Sequence, residues 1–147
     1  MSDRPATTNI QPDLLAKALT RGGHGGWLGM QYHAHGDGWV ELALPWKQEL
    51  VGMEESGILA SGPIISLMDN CTSMSVWTKR DAFVPQVTLD LRIDYTRAAT
   101  PGSTVIGRGE CYKLTRSMSF VRGIAYEDDP DDPLAHAAGV FMMIGND

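Results

Sequence analysis

Gly57-Ile58-Leu59-Ala60-Ser61-Gly62-Pro63-Ile64-Ile65-Ser66-Leu67-Met68-Asp69-Asn70-Cys71 is the stretch on which the fold turns. Pro63 suits the first turn of a helix, where its missing N–H has no intrahelical partner to lose. From there Ile64, Leu67, Met68, Cys71, Met74 and Thr78 recur at i, i+3, i+4 and i+7, and Ile65, Val76 and Trp77 add apolar surface on other sides. The spacing predicts one long helix over residues 57–80. A helix that is apolar nearly all round belongs in the interior.

The segments outside it read as strands. Over residues 87–97, Val87, Leu89, Leu91, Ile93 and Tyr95 alternate strictly with Thr88, Asp90, Arg92, Asp94 and Thr96. That pattern predicts a strand with one face on the core and the other toward water or a partner. Thr100-Pro101-Gly102 makes a turn. Residues 104–114 and 118–126 predict two more strands about a turn at 115–117, and residues 134–144 predict the last. The acidic run Glu127-Asp128-Asp129-Pro130-Asp131-Asp132-Pro133 between them is a solvated loop. Upstream, residues 29–35 and 38–44 flank Gly36-Asp37-Gly38 and read as a hairpin or one bent strand. Residues 47–56 are polar and loop-like. Residues 12–20 predict a short helix with Leu14, Leu15, Ala18 and Leu19 as its apolar stripe, ended by Gly22 and Gly23. A run of strands around one long helix implies α+β: an antiparallel sheet packed on that helix. Residues 1–24 are expected to form a polar tail and the short helix, and residues 25–147 the domain proper.

Composition narrows the function. The chain has 147 residues, with 12 Lys+Arg against 18 Asp+Glu and a net charge of −6. A phosphate-backbone binder would show a basic face, so nucleic acid is not expected as a partner. No apolar run approaches the ~20 residues of a membrane span, and the polar start carries no signal-peptide core, so a cytoplasmic protein is expected. The two cysteines, Cys71 and Cys111, have neither CxxC nor metal-ligand spacing and read as buried free thiols. The glycine-rich residues 22–29 lack both the preceding strand and the Gly-Lys-Ser/Thr that a phosphate-binding loop needs. There is no G-x-S-x-G or S-x-x-K, so a serine acyl-enzyme is not supported. His33 and His35 could share a strand face, but no further metal ligands stand out, and surface histidines are the simpler account. His136 reads as a half-buried polar residue of the last strand, and Trp27, Trp39, Trp46 and Trp77 as core or interface residues.

Asp69 does not fit its surroundings. A carboxylate inside an apolar helix costs desolvation unless it is paired or hydrogen-bonded. It therefore sits on a solvated edge or accepts structural hydrogen bonds, or it is held at a cleft for acid/base work. Asn70, Thr72 and Ser73 add polar groups to the same turn.

The stretch 57–70 resembles the helix start of hotdog-fold acyl-CoA thioesterases of the phenylacetate-degradation and 4-hydroxybenzoyl-CoA type, which show G-x-L-H-G-G and an acidic residue two helical turns on. Residues 87–97 with Ala98-Ala99-Thr100-Pro101-Gly102 resemble that family's Y-x-R-x-A-x-x-G strand and turn, and Ala135-His136-Ala137-Ala138-Gly139-Val140-Phe141-Met142 resembles its last strand. The resemblance covers residues 37–145. It implies the hotdog fold, one long helix wrapped by a five- or six-stranded antiparallel sheet, dimeric at least. It also implies hydrolysis of an aryl- or medium-chain acyl-CoA without metal or redox cofactor. Asp69 matches the catalytic carboxylate, general base or nucleophile. Thr88 matches a Ser/Thr that holds the water. Ser61 matches the glycine whose N–H points at the thioester carbonyl, and Gly62 follows it. The oxyanion role survives the side chain because a helix N-terminus supplies the donor.

Ala60 stands where the motif histidine would be, and Glu54 where relatives often carry Asn or Gln. With Asn70, Ser73, Arg97 and Arg116 they complete the expected substrate-binding set, Arg97, Lys113 and Arg116 being candidates for the coenzyme phosphates. An intact His-Gly-Gly does occur at His24-Gly25-Gly26, but no acidic helix follows it, and it reads as part of a glycine-rich loop. The missing histidine keeps a second reading open: a hotdog protein that binds acyl-CoA or an aromatic ligand without hydrolysing it. A hydratase ranks third, because it would need that histidine. The long alternating strand 87–97 is an expected sheet edge, which predicts a homodimer joined through it, or a dimer of dimers.

Overall fold

The computed structural model describes residues 10–145. Two short helices, α1 (Pro12–Thr20) and α2 (Gly23–Leu28), precede the hairpin of β1 (Gln31–Gly36) and β2 (Trp39–Leu44). The long helix α3 (Ser61–Arg80) follows, then β3 (Gln86–Tyr95), β4 (Val105–Leu114), β5 (Met118–Tyr126) and β6 (Ala135–Met143). The six strands form one antiparallel sheet in the order β1-β2-β4-β5-β6-β3. α3 packs across one face of it, which is the α+β architecture the sequence implied.

The core follows from strand alternation. Val40, Leu42 and Leu44 of β2 point at α3, and Leu67, Met68, Cys71 and Met74 answer from the helix, all essentially inaccessible to solvent. The sheet makes room for the helix with glycines. A Cβ at Gly109 would lie 2.5 Å from the backbone of Cys71, and one at Gly107 would lie 2.8 Å from Leu67. Backbone therefore packs on backbone at the centre of the sheet, a contact no larger residue permits. α3 ends at Asp81, whose φ of 55° caps it in the left-handed region, with Lys79 and Arg80 in the last turn where the helix dipole favours cations.

The two sheet edges differ. α1 packs against β1, whereas β3 presents an unpaired edge with Val87, Leu89 and Tyr95 exposed. Ile10 and Ala16 belong to the main core cluster, so α1 packs into the body of the domain, while the expected polar tail over residues 1–9 lies outside the described residues.

Three expectations change. The strict alternation over residues 87–97 is broken by a bulge between Thr88 and Asp90. Leu91, Ile93 and Tyr95 keep to the helix side, but Thr88 joins them there and Val87 turns to the other face, because one extra residue flips the pleat. In α1 it is Ala16 that is buried, while Leu14 and Leu19 stay exposed, since the helix approaches β1 closely on its small residue. Finally, residues 23–28 form α2 rather than a loop: Gly26, whose Cβ would stand 2.8 Å from the Arg21 carbonyl carbon, lets it fold back tightly on the end of α1. No helix among the described residues is long and apolar enough to cross a membrane.

Candidate active site

The site runs along one side of α3. Ser66, Asp69, Asn70 and Ser73 follow one another at i, i+3, i+4 and i+7 and form a half-buried polar stripe on a helix otherwise committed to the core. The Thr88 hydroxyl donates a 2.8 Å hydrogen bond to Oδ1 of Asp69. The β3 bulge makes that contact, because without it Thr88 would face away from the helix. Asn70 and Ser73 are engaged by the helix itself: Nδ2 of Asn70 donates to the Ser66 carbonyl at 2.8 Å, and the Ser73 hydroxyl to the Asn70 carbonyl at 3.0 Å. The Gln86 amide donates to the Ser73 carbonyl at 2.7 Å and ties the start of β3 to the stripe.

The start of α3 forms a second centre. Ala60 occupies the N-cap position and offers no capping side chain, and its own N–H donates to the Leu50 carbonyl at 2.9 Å. Pro63 has no N–H. The N–H groups of Ser61 and Gly62 are therefore the first-turn donors left unclaimed, and no side chain among the described residues accepts from them. Tyr95 braces this end by donating from its hydroxyl to the Ser61 carbonyl at 3.0 Å. A cleft opens here between Ile58, Ser61, Ile64, Tyr95 and Ala98.

The remaining expected site residues are more scattered. Glu54 is exposed at the tip of a small hairpin held by the Val51–Leu59 bridge, whose strand carries Ala60 into the helix; it lines a cleft with Gln48 and Glu49 rather than meeting Asp69. Arg97 is clasped by Glu127 at 3.0 Å and Asp132 at 3.4 Å. The hydrogen bond to Glu127 raises the guanidinium pKa further. Burial pushes Glu127 up, but the Thr100 N–H and the Arg97 and Thr100 side chains together hold its carboxyl below the usual range. Arg116 is exposed in the β4–β5 turn, which the Arg80 guanidinium anchors to the C-terminal end of α3 through the Thr115 carbonyl. Twenty helical residues, about 30 Å, separate the two ends. Arg97 and Arg116 of one chain thus cannot serve one phosphate group.

Burial pushes the Cys71 thiol far up, which keeps it protonated and inert as a nucleophile. His33 and His35 turn to different partners, Glu41 at 3.9 Å and the Tyr32 hydroxyl at 2.8 Å, because a bulge in β1 separates them. His24, from the glycine-rich His24-Gly25-Gly26, joins the site. Its Nε2 lies 2.9 Å from the Ser66 hydroxyl, which puts the imidazole at the first residue of the stripe. The contact spans 42 residues, and nothing in the spacing could have revealed it.

The model of the thioesterase superfamily matches residues 56–133, which hold α3, Thr88 and the Arg97–Glu127 clasp. No curated protein matches the chain. Among solved structures, a protein from Pseudomonas aeruginosa is 39% identical over 89% of this chain and 95% of that one, with a TM-score of 0.78. A thioesterase from Haemophilus influenzae superposes with a TM-score of 0.79 at 18% identity, covering 92% of each chain. The E. coli PaaI protein from the phenylacetic acid degradation operon also gives 0.79, at 14% identity over 95% of this chain and 98% of that one. These last two likenesses speak to the fold alone.

Proposed function

The chain belongs to the thioesterase superfamily and has the hotdog fold, and from that premise we propose that it hydrolyses acyl-CoA thioesters with Asp69 as general base. Thioester hydrolysis is the activity of the superfamily; the substrate and the residue roles are our reading. The observation that carries it is the Thr88–Asp69 hydrogen bond. With the Thr88 hydroxyl donating to Oδ1, Asp69 is an acceptor, and Oδ2 remains to take a proton from water.

The reaction balances with this chain's own groups. Water, deprotonated by Asp69, adds its oxygen to the thioester carbonyl carbon. The negative charge that develops on the carbonyl oxygen is met by the N–H groups of Ser61 and Gly62, held in place before the reaction begins. Collapse breaks the carbon–sulfur bond, the leaving thiolate takes the proton that Asp69 holds and so restores the carboxylate, and the acid product carries the water's oxygen.

One chain does not hold both halves. Gly62 and Asp69 are separated by about 10 Å along the axis, and first-turn N–H groups point out of the helix, away from Asp69. A carbonyl seated at Ser61 therefore lies beyond reach of a water on the same chain's Asp69. A second copy must bring its helix start to this Asp69. The exposed apolar edge of β3, next to the site, is the surface through which we pair the copies, as a dimer or a dimer of dimers. Two buried free cysteines fit a reducing, cytoplasmic setting.

The test is turnover of a panel of aryl- and medium-chain acyl-CoAs by the wild type and Asp69→Asn. Hydrolysis that falls a hundredfold or more in the variant supports the reading. Wild-type-like turnover in Asp69→Asn removes Asp69 from the chemistry. Binding without turnover of any ester would make the chain a non-hydrolytic acyl-CoA binder. Heavy-oxygen label appearing in Asp69 after one turnover would make it the nucleophile.

A further inference from the structure

Three features meet where α1 turns into α2. Trp27 is 65% exposed, and its indole stacks on the His24 imidazole with centroids 6.5 Å apart and planes 19° from parallel. An indole left mostly in water, on a helix of six residues, contributes little to the core. What it offers is a flat face on which another flat ring can stack.

The corner is also basic. The Lys47 side chain runs across Gly29, where a Cβ would stand 2.6 Å from its ammonium, and Nζ lies 3.5 Å from the Trp27 carbonyl. Arg21 caps α1 directly beneath Gly26, with Lys17 one turn behind. Among the described residues these three cations form no ion pair, whereas Arg92, Arg97, Arg108 and Arg122 each do. The corner is continuous with the active site as well, since His24, beside the indole, reaches Ser66 one helical turn before Asp69.

We propose that this corner is the subsite for the nucleotide end of the coenzyme A ester: the adenine stacks on Trp27, the phosphates meet Lys47 and Arg21, and the pantetheine arm passes His24 and Ser66 to reach Asp69. The inference rests on the acyl-CoA reading above. A guanidinium and an ammonium divide phosphate recognition as fork and point charge, and a stacked base needs only an aromatic face. Arg97 is held by two carboxylates and Arg116 stands at the far end of α3, so neither duplicates the corner.

The full chain is assayed with benzoyl-CoA and with S-benzoyl-N-acetylcysteamine, which keeps the thioester and lacks the nucleotide. The ratio of the two kcat/KM values is expected to fall about tenfold in Trp27→Ala, the scale of one lost base–aromatic stack, and to fall in Lys47→Gln, in both cases through KM for the coenzyme A ester. Calorimetry with adenosine 3′,5′-bisphosphate should show binding to the wild type, weakened by about the same factor in Trp27→Ala. An unmoved ratio together with unmoved nucleotide binding overturns the subsite, and so does turnover that requires an acyl carrier protein in place of the coenzyme. If no thioester is hydrolysed but the bisphosphate binds through Trp27, the subsite stands and the hydrolytic reading falls.

Discussion

The Thr88 hydroxyl fixes which oxygen of Asp69 is free. A hydrogen bond to a charged acceptor is worth about 1.5–3 kcal/mol, enough to hold one carboxylate rotamer against solvent competition. Thr88→Val keeps the shape and removes the donor, so kcat should fall about tenfold or more, while the thermal midpoint measured alongside moves little. Asp69→Ala should cost a hundredfold or more, and Asp69→Asn should fold as well as the wild type, by the far-ultraviolet spectrum and melting curve. At the helix start, Ala60→His should raise turnover or shift substrate preference, and Ser61→Gly should widen the slot and help bulky acyl groups more than small ones in the same panel. Of these residues Asp69 is visible in the sequence unaided, because a carboxylate amid Leu67, Met68 and Cys71 demands an explanation. Thr88 is assigned by resemblance alone. Its partner lies 19 residues away, across a bulge that the alternation of residues 87–97 conceals. His24 stands in an intact His-Gly-Gly, but nothing local shows that it reaches Ser66, 42 residues away.

At the scale of elements, the strands and the long helix are legible because each is set by a local period. The predicted strand over residues 118–126 has the bounds of β5, and the helix over 57–80 ends where α3 ends. What local periodicity does not show is where elements touch. Gly107 and Gly109 look like weak positions in a strand, yet they are the bed of α3. Gly109→Ala would force its Cβ into the helix backbone, which has no flexible atom to move aside. We expect a loss of stability at or above the 1–3 kcal/mol typical of overpacking, read as a lower urea midpoint. Gly22→Ala, where nothing lies within 4 Å, should change stability by only about a few tenths of a kcal/mol and leave that midpoint nearly in place. α2 is hidden for the complementary reason: its first four residues, Gly23 to Gly26, include three glycines, and only packing on α1 makes them helical.

For the whole molecule, the loop after β5 and the turn after β3 are clasped together by Arg97, Glu127, Thr100 and Asp132. Glu127 is held below its ordinary value in the folded protein, so its contribution to stability is full above that value and is lost as pH falls through the lowered one. Acid melts should therefore show stability declining from about pH 4.3 downward, and Glu127→Gln should flatten that limb while lowering stability at neutral pH. The free edge of β3 bears on assembly. Light scattering at micromolar concentration should give a dimer or larger, and a charge placed on the edge by Leu89→Lys should favour the monomer and reduce turnover together. A monomeric, fully active wild type would contradict the shared site.

The distance along α3 between its unclaimed N–H groups and Asp69 has a genetic consequence. Ser61→Pro suits the first position of a helix and follows an Ala60 already extended, at φ −62° and ψ 156°, so it deletes one donor with little effect on folding. Taken alone it should be nearly dead, as should Asp69→Asn. Refolded together in equal amounts, half of the dimers are mixed, and each mixed dimer pairs one sound helix start with one sound carboxylate. Roughly a quarter of the wild-type sites should reappear, two defective alleles complementing in the test tube.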